Sequence, residues 1–471
     1  QQTGSLTGYT DAASPYSTAL GYQAGVDHGT SNVVLGYQAG LDTSTGANCV
    51  MIGYQAGAST YGSRNTFVGY RVAYNGGAPG TTGTDNVAIG HEALSILGEG
   101  SHNICLGTNA GYRLIAGTGN VAIGSNVFGY TGGDNVTSGY NTGIGYNALN
   151  KLTTGAGNFA AGYAAMFNTV SSSYCTVIGY EAGLSLTSGS HNVAIGQEAL
   201  YLAQTVAGNV AIGYRAARTS VAGGVTAIGH EAFGVNSGTH GGQYSVAMGV
   251  QAGYRIGTGT DVGNVLIGYQ AGYGNATPAA ATYNVAIGYQ TMLEVSSGTS
   301  NVAIGNAALN TLTTGGNNVA IGISGQKITT GSGNVAIGGG LNGDVAAVVT
   351  GSNNIAIGNG ALSPSSGNFS NGDVIAIGRD ALNGTAGAGV VAVGGLAFSL
   401  AGNTSQSVAI GFEAGYRLST SCGDSVLIGY QAGYGNATPG AAENNIGIGT
   451  QALYNLSSGG AHVAIGVQAG Y

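Results

Sequence analysis

A pentapeptide of the form NVAIG recurs along this chain of 471 residues and limits the folds that the chain can adopt. Aligned on its final glycine, the pentapeptide occurs 26 times, and the commonest step is the one that separates Gly90, Gly107 and Gly124. A unit of this length holds one short strand, a corner and a loop, and it cannot bury an apolar face by itself. The repeats must therefore stack, which predicts an all-β fold: a parallel β-solenoid (β-roll) of about 26 coils.

The repeats follow one another almost without a break, so the sequence predicts one continuous repeat domain. Residues 1–18 contain no complete copy and are expected to form an N-terminal lead-in or cap, and residues 19–471 are expected to form the solenoid. Some steps are shorter, as between Gly21 and Gly36, and others are longer, as between Gly69 and Gly90. Loops that bulge outward by different amounts explain this variation, because they leave the strands undisturbed.

The alternation within the pentapeptide predicts which side chains lie inside. The second and fourth positions are almost always β-branched or long aliphatic residues, which are typical of one buried face of a pleated strand. We expect them to fill the interior, so that the third position, which is mostly Ala, points outward. A strand that is apolar on both faces is covered on both faces. The sequence therefore predicts lateral association of identical chains through an outward alanine face.

We assign this oligomer seam to third-position residues in seven coils. Two of them carry leucine instead of alanine and are expected to press hardest on the partner chain. The seven residues are Ala88, Ala122, Ala194, Ala211, Leu266, Ala286 and Leu427.

Asparagine occupies the first pentapeptide position in 16 copies, where the loop turns into the strand. Stacked coils would bring these amides into register, so that each could hydrogen-bond the next along the stack. Alternatively, asparagine is there only because it tolerates the backbone conformation of a turn.

Tyrosine follows the pentapeptide glycine in eleven copies and predicts a column of aromatic rings. Such a column can stack and stiffen the corner of the coil, or it can bind sugar rings, since tyrosine offers a ring face and a hydroxyl group. The candidate stacking or ligand-binding column consists of Tyr22, Tyr37, Tyr54, Tyr180, Tyr214, Tyr269, Tyr289 and Tyr430.

Several functional classes are disfavoured by the composition and the motifs. The 10 Lys and Arg residues form no cluster that could bind nucleic acid, and no apolar run is long enough to insert into a membrane. The four cysteines are far apart without CxxC spacing, which predicts inert buried thiols. The sequence contains neither an HExxH motif nor a phosphate-binding loop. We therefore expect no enzyme, and no catalytic, cofactor or metal site.

The combination of NVAIG with YQAG, from about Ala19 to Tyr471, resembles the repeats in the parallel β-roll heads of trimeric autotransporter adhesins. It is also similar to the NVAIGYQAL-type repeats of phage tail-fibre shafts. The resemblance implies left-handed coils and a homotrimer whose strand-bearing faces pack around a common axis. The commonest step, such as that from Gly107 to Gly124, is longer than is typical of those adhesin heads.

These observations lead to two functional hypotheses. In the first, the chain is a non-enzymatic structural fibre that is extracellular, on a cell surface or on a virion, and serves as a rigid shaft with an adhesive or receptor-binding role. Its partners are copies of itself and a surface glycan or receptor. In the alternative, the chain is the subunit of a self-assembling extracellular filament or sheath that polymerises end to end.

Overall fold

The computed structural model describes most of the chain and groups it into two units, Gln1–Glu231 and Ala232–Tyr471. Residues 1–15 of the expected lead-in lie outside the described part, and the first strand begins within that lead-in, at Thr18. The described residues are 16–26, 29–43, 45–74, 82–129, 135–234, 242–256, 262–275, 281–341, 348–363, 369–384, 387–401, 404–418, 422–436, 442–456 and 459–471.

The described part of the first unit has thirteen strands and no helix. The strands are β1 (Thr18–Leu20), β2 (Val33–Leu35), β3 (Val50–Ile52), β4 (Thr66–Tyr70), β5 (Val87–His91), β6 (Ile104–Leu106), β7 (Val121–Ile123), β8 (Thr142–Ile144), β9 (Phe159–Ala161), β10 (Thr176–Ile178), β11 (Val193–Ile195), β12 (Val210–Ile212) and β13 (Thr226–Ile228).

The second unit, over its described residues, also has thirteen strands and no helix. They are β14 (Val246–Met248), β15 (Val265–Ile267), β16 (Val285–Ile287), β17 (Val302–Ile304), β18 (Val319–Ile321), β19 (Val335–Ile337), β20 (Ile355–Ile357), β21 (Ile375–Ile377), β22 (Val391–Val393), β23 (Val408–Ile410), β24 (Val426–Ile428), β25 (Ile446–Ile448) and β26 (Val463–Ile465).

Within each unit, every strand pairs in parallel with the next strand along the chain. The equivalent residues of successive coils are direct partners, as in the pairs Val193–Val210 and Ala303–Ala320. Each strand is therefore one rung, and one coil of chain separates it from the next rung. This arrangement confirms the predicted all-β parallel β-solenoid.

The two faces of the strands are the reverse of those that the alternation predicted. The third-position residues are buried in the interior of the coil, whereas the second and fourth positions are partly exposed, with Ile89 exposed by 43%. The expected seam is therefore wrong in its residues. All seven seam residues have 0% exposure: Ala88, Ala122, Ala194, Ala211, Leu266, Ala286 and Leu427.

The narrow interior of the coil explains why alanine lies inside. A Cβ atom added to Gly111 would lie only 2.5 Å from the Sγ atom of Cys105, the third-position residue on β6. A β-branched residue at the third pentapeptide position of every coil would not fit in so small a space, because overpacking forces side chains and backbone out of place. The valine and isoleucine residues consequently occupy the outer face.

Residue sizes within one coil compensate each other in the interior. Where the third-position residue is large, the residue six positions later is small: it is Ala73 after Phe67 and glycine in the other such coils. A Cβ atom at Gly272, for example, would lie 2.7 Å from Cδ2 of Leu266. Where the third-position residue is Ala303, the position six residues later is the fully buried Leu309. Leu266 therefore fills the inside of its own coil and does not press on a partner chain.

The asparagines of the first position form buried hydrogen-bonded rows. The backbone N–H and the side-chain Nδ2 of Asn120 both donate to Oδ1 of Asn103, at 2.9 and 3.1 Å. Nδ2 of Asn103 donates in turn to Oδ1 of Asn86 at 3.0 Å and to the carbonyl of Gly117 at 2.8 Å. The described residues of this row do not adopt positive φ angles, whereas the residue before each of them commonly does, as at His102 (φ 59°). The hydrogen-bonding interpretation is confirmed, and the turn-tolerance alternative is not supported.

The glycine that ends each pentapeptide also stacks in register. Gly107 has a φ of 131°, a conformation that side chains rarely adopt, and an added Cβ atom would overlap the carbonyl group of Gly124 in the next coil. Only glycine satisfies both the backbone angle and the close approach of successive coils here.

Candidate interaction surface

The outer face of the strands is a continuous apolar surface in each unit. We name it the Val/Ile face and define it as the second and fourth pentapeptide residues of each rung, for example Val87 and Ile89 of β5. None of these positions in the 26 rungs carries a charged residue. Many of the side chains are about two fifths exposed, including Ile104 at 40% and Ile321 at 40%. A contiguous apolar surface of this kind marks an interaction site in soluble proteins.

The area of this face is large enough for a stable interface. A Val or Ile side chain offers on the order of 100 Å² to water, so thirteen rungs with two outward side chains each, at roughly 30% exposure on average, leave roughly 800 Å² per unit. A partner in a typical specific protein interface contributes about 800 Å². Each unit therefore exposes about as much area on this face as one side of an ordinary complex buries.

The two units differ in the second position of the face. The second unit has only Val or Ile there. The first unit has Thr in five rungs and Phe159 in β9, where the fourth position is Ala161. Threonine has nearly the shape of valine, so the outline of the face changes appreciably only at β9.

The predicted tyrosine column stacks in several separate runs beside the Val/Ile face. The rings of Tyr22, Tyr37, Tyr54 and Tyr70 lie parallel with centroid separations of 5.1 to 5.4 Å, and the ring of His91 continues the run at 4.9 Å. The other candidate tyrosines also have an aromatic neighbour in the adjacent coil: Tyr180 has Tyr163, Tyr214 has His230, Tyr269 has Tyr289, and Tyr430 has Phe412.

Stacking limits what this column can bind. Within a run, both faces of a ring such as Tyr37 are covered by the rings of adjacent coils, so only the ring edge and the hydroxyl group face solvent. Binding of a sugar on an aromatic ring requires an open ring face. The geometry therefore favours the stiffening role, and ligand binding by the column stays a prediction.

Side-chain amides form a second row next to the tyrosines. Nε2 of Gln38 donates to Oε1 of Gln23 at 2.8 Å, and Nε2 of Gln55 donates to Oε1 of Gln38 at 2.9 Å. Nε of Arg71 then donates to Oε1 of Gln55 at 3.1 Å. These bonds join neighbouring coils at the corner, so the polar residues beside the Val/Ile face serve the stack itself.

The most densely charged part of the same row lies around Glu198. Its carboxylate accepts hydrogen bonds from Nε of Arg215 at 3.0 Å and from Nε of Arg218 at 2.8 Å, and the Glu198 side chain is only 11% exposed. Burial alone would raise the pKa of Glu198, but the two guanidinium groups outweigh it and hold the pKa below its ordinary value. The three charges thus satisfy one another, which is typical of a structural ion pair.

A second, exposed ion pair joins Arg64 to Asp85. Nε and one terminal nitrogen of Arg64 donate to the two carboxylate oxygens of Asp85 at 2.6 and 2.8 Å. The hydrogen bonds from Arg64 lower the pKa of Asp85 to about 2. Both residues lie on the solvent side of the turn before the asparagine row, and the pair ties two adjacent coils together.

The four cysteines are buried, as the sequence predicted. Cys105 lines the interior on β6, and burial raises the pKa of its thiol to about 12. Burial, and secondarily the charge of Glu443, raises the pKa of Cys422 to about 12 as well. Cys49 and Cys175 take the place of asparagine in the buried rows, and their pKa values are also raised by burial.

We expect these thiols to be unreactive in the folded protein, because a thiol that is buried and protonated is a poor nucleophile. Titration with Ellman's reagent should give less than about one thiol per chain under native conditions and four in denaturant. Rapid reaction of two or more thiols in the folded protein would contradict the burial of the interior.

The described residues contain no group of three or more His, Cys, Asp or Glu side chains that could hold a metal ion. Among the same residues, no helix is long and apolar enough to cross a membrane. The chain has been compared with protein-family models and with curated proteins. No family model matches it, and no curated protein matches it either.

Proposed function

We propose that this protein is a non-enzymatic structural fibre in which several copies of the chain pack side by side through the Val/Ile face. The exposed Val/Ile face carries the proposal. It is uncharged in every rung and exposes roughly 800 Å² in each unit. Apolar burial of this extent is the main driving force in protein association.

The interior supports a mechanical role. Within each unit, each rung is joined to the next by backbone hydrogen bonds, and many rungs are joined also by the buried asparagine rows or, at the corner of the coil, by stacked tyrosines. Such a stack is cross-linked at every rung within each unit. A rigid shaft is the function that this construction serves best.

The finer parts of the proposal rest on the resemblance of the repeats to adhesin heads and tail-fibre shafts. They are a homotrimer around a common axis, left-handed coils, a location outside the cell or on a virion, and adhesion to a surface glycan or receptor. Adhesion belongs to the loops between rungs, because the loops differ most from coil to coil in length and sequence.

Charge placed on the Val/Ile face is expected to prevent lateral association. Ile195 and Ile212 lie on adjacent rungs, and both side chains point outward. Burying two lysine ammonium groups in an apolar interface costs several kcal/mol, so the Ile195→Lys, Ile212→Lys double variant should associate on the order of a thousandfold more weakly. Sedimentation equilibrium of the wild type and the variant measures the change.

The matched control carries the same added charge elsewhere on the same unit. Gln204 and Thr205 are exposed loop residues, and the Gln204→Lys, Thr205→Lys variant should associate like the wild type. A wild-type protein that sediments as a monomer at micromolar concentration would overturn the proposal. Two or four chains per particle would retain lateral association and refute the trimer.

A further inference from the structure

We propose that Phe159 and Ala161 form a steric lock that sets the register between neighbouring copies of the chain. This inference rests on the lateral association proposed above. In the lock, the ring of Phe159 from one copy occupies the notch over Ala161 of the next copy, at the same rung. The partner is thus a second copy of this chain, aligned with the first without any axial shift.

The first half of the lock is a protruding ring. Phe159 is the second pentapeptide residue of its rung, β9, and it is 37% exposed. No other of the 26 rungs has an aromatic residue at that position. Its partners on the adjacent rungs are Thr142 and Thr176, which are much smaller. The ring is therefore the bulkiest side chain in this column.

The second half is a notch two residues along the same strand. Ala161 is the only alanine at the fourth position among the rungs, and it points outward like the fourth-position residue of the other strands. It lies between Ile144 and Ile178, each of which is 37% exposed. The missing side-chain atoms leave a depression one rung wide.

The unusually large Phe159 and the unusually small Ala161 compensate each other in volume, as pairs of residues do inside the coil. Relative to the common pair of Val and Ile, this rung gains several carbon atoms at position 159 and loses three at position 161. In the interior, an increase in size at one position is matched by a decrease at the position that it packs against, as with Leu266 and Gly272. A matched pair on the outer face indicates that this face also packs against something of defined shape.

A second copy is the occupant that fits both halves at once. When identical solenoids lie side by side around an axis parallel to their stacking direction, equivalent rungs are at the same height. The second-position column of one copy can then face the fourth-position column of the next, so each interface receives one ring and one notch. The neutral, apolar character of both halves suits such a contact, because neither leaves a polar group or a charge unpaired.

The lock solves a problem that a repetitive face creates. On a uniform Val/Ile face, a shift of one rung, about 4.8 Å, would restore nearly the same contacts, so several alignments would have similar free energies. With the lock in place, such a shift sets Phe159 against Ile144 or Ile178 of the neighbour and leaves the notch empty. Only the unshifted alignment avoids both penalties.

The experiment measures association by sedimentation equilibrium for Ala161→Ile, Phe159→Val and the double variant. Filling the notch alone should weaken association on the order of 10- to 100-fold, because the ring then has no space. The double variant restores the common Val and Ile pair and should associate within about threefold of the wild type. Restoration of this kind requires that the two positions meet.

A transplanted lock is the matched control. On β11, Val193→Phe should weaken association, because Ile195 leaves no notch, and adding Ile195→Ala should restore it. Equal association of wild type and Ala161→Ile would overturn the lock while leaving lateral association intact. A monomeric wild type would refute the proposed function itself.

Contact within one chain is tested separately. In the monomeric Ile195→Lys, Ile212→Lys background, chemical unfolding of the four combinations at positions 159 and 161 measures any coupling inside a single strand. We expect no coupling there. The lock would be overturned if positions 159 and 161 were coupled in the unfolding of this background while the double variant failed to restore association.

Discussion

Replacement of Gly107 by alanine is expected to lower the free energy of unfolding of its coil by about 3 to 6 kcal/mol. The new Cβ atom would overlap the carbonyl group of Gly124 in the next coil, and alanine would have to adopt a φ of 131°. Neither problem can be relieved by a side-chain rotation, because the obstacle is backbone. Chemical denaturation monitored by circular dichroism measures the loss, and hydrogen exchange shows whether it is centred on β6 and β7.

Gly208 provides the matched control for this substitution. It has a φ of 69°, and an added Cβ atom would meet nothing within 4 Å. Gly208→Ala should therefore cost only about 1 to 2 kcal/mol, the strain of a left-handed residue. Gly208→Asn should cost less, because Asn317 adopts this conformation at the equivalent position. Equal losses for Gly107→Ala and Gly208→Ala would contradict the close approach of coils at the strand ends.

Replacement of Asn103 by alanine is expected to cost about 2 to 5 kcal/mol. It leaves the carbonyl of Gly117 without its donor at 2.8 Å and the backbone N–H of Asn120 without its acceptor at 2.9 Å, both in the interior. An unpaired buried polar group costs more than its hydrogen bond contributes when it is made. Hydrogen exchange at Asn120 and in the neighbouring strands should accelerate, and the unfolding midpoint should fall.

Serine is the informative control at this position, because the protein already uses it in the same row. Oγ of Ser407 donates to the carbonyl of Cys422 at 2.7 Å and accepts the backbone N–H of Ser425 at 3.3 Å. Asn103→Ser can make both kinds of bond and should retain more than half of the stability that alanine loses. If serine and alanine proved equally harmful, the hydrogen-bonded row would not be the source of the effect.

The fold could be predicted from the repeat, because a unit as short as that from Gly90 to Gly107 leaves no alternative to stacking. The tyrosine column and the asparagine rows were predictable for the same reason, since any residue at a fixed repeat position recurs in register. The stacked rings of Tyr22 and Tyr37 and the bonds from Asn120 to Asn103 follow directly from this rule.

The orientation of the strand could not be predicted from alternation, because both faces are apolar and the β-branched residues, which usually lie inside, are on the outer face here. The signal that would have settled it is the compensation of sizes between positions six residues apart. Six positions after the large residues Val34 and Cys105 stand the glycines Gly40 and Gly111, whereas six positions after the small Ala303 stands Leu309. Compensation of sizes indicates that the two positions are in contact, which favours a third position that faces the interior. The outward Val/Ile face, and with it the meaning of Phe159, followed only from the structure.

The in-register stacking of equivalent residues has a consequence for how such a chain changes over generations. Because each rung offers the next the same partners, a block of coils copied within the gene meets matching neighbours at both of its junctions. The stretch VLIGYQAGYGNATP, present at residues 265–278 and again at 426–439, has the form expected of such a copy. The number of coils can therefore change through duplication or deletion of blocks of the gene, because the added or remaining coils keep the same interior packing.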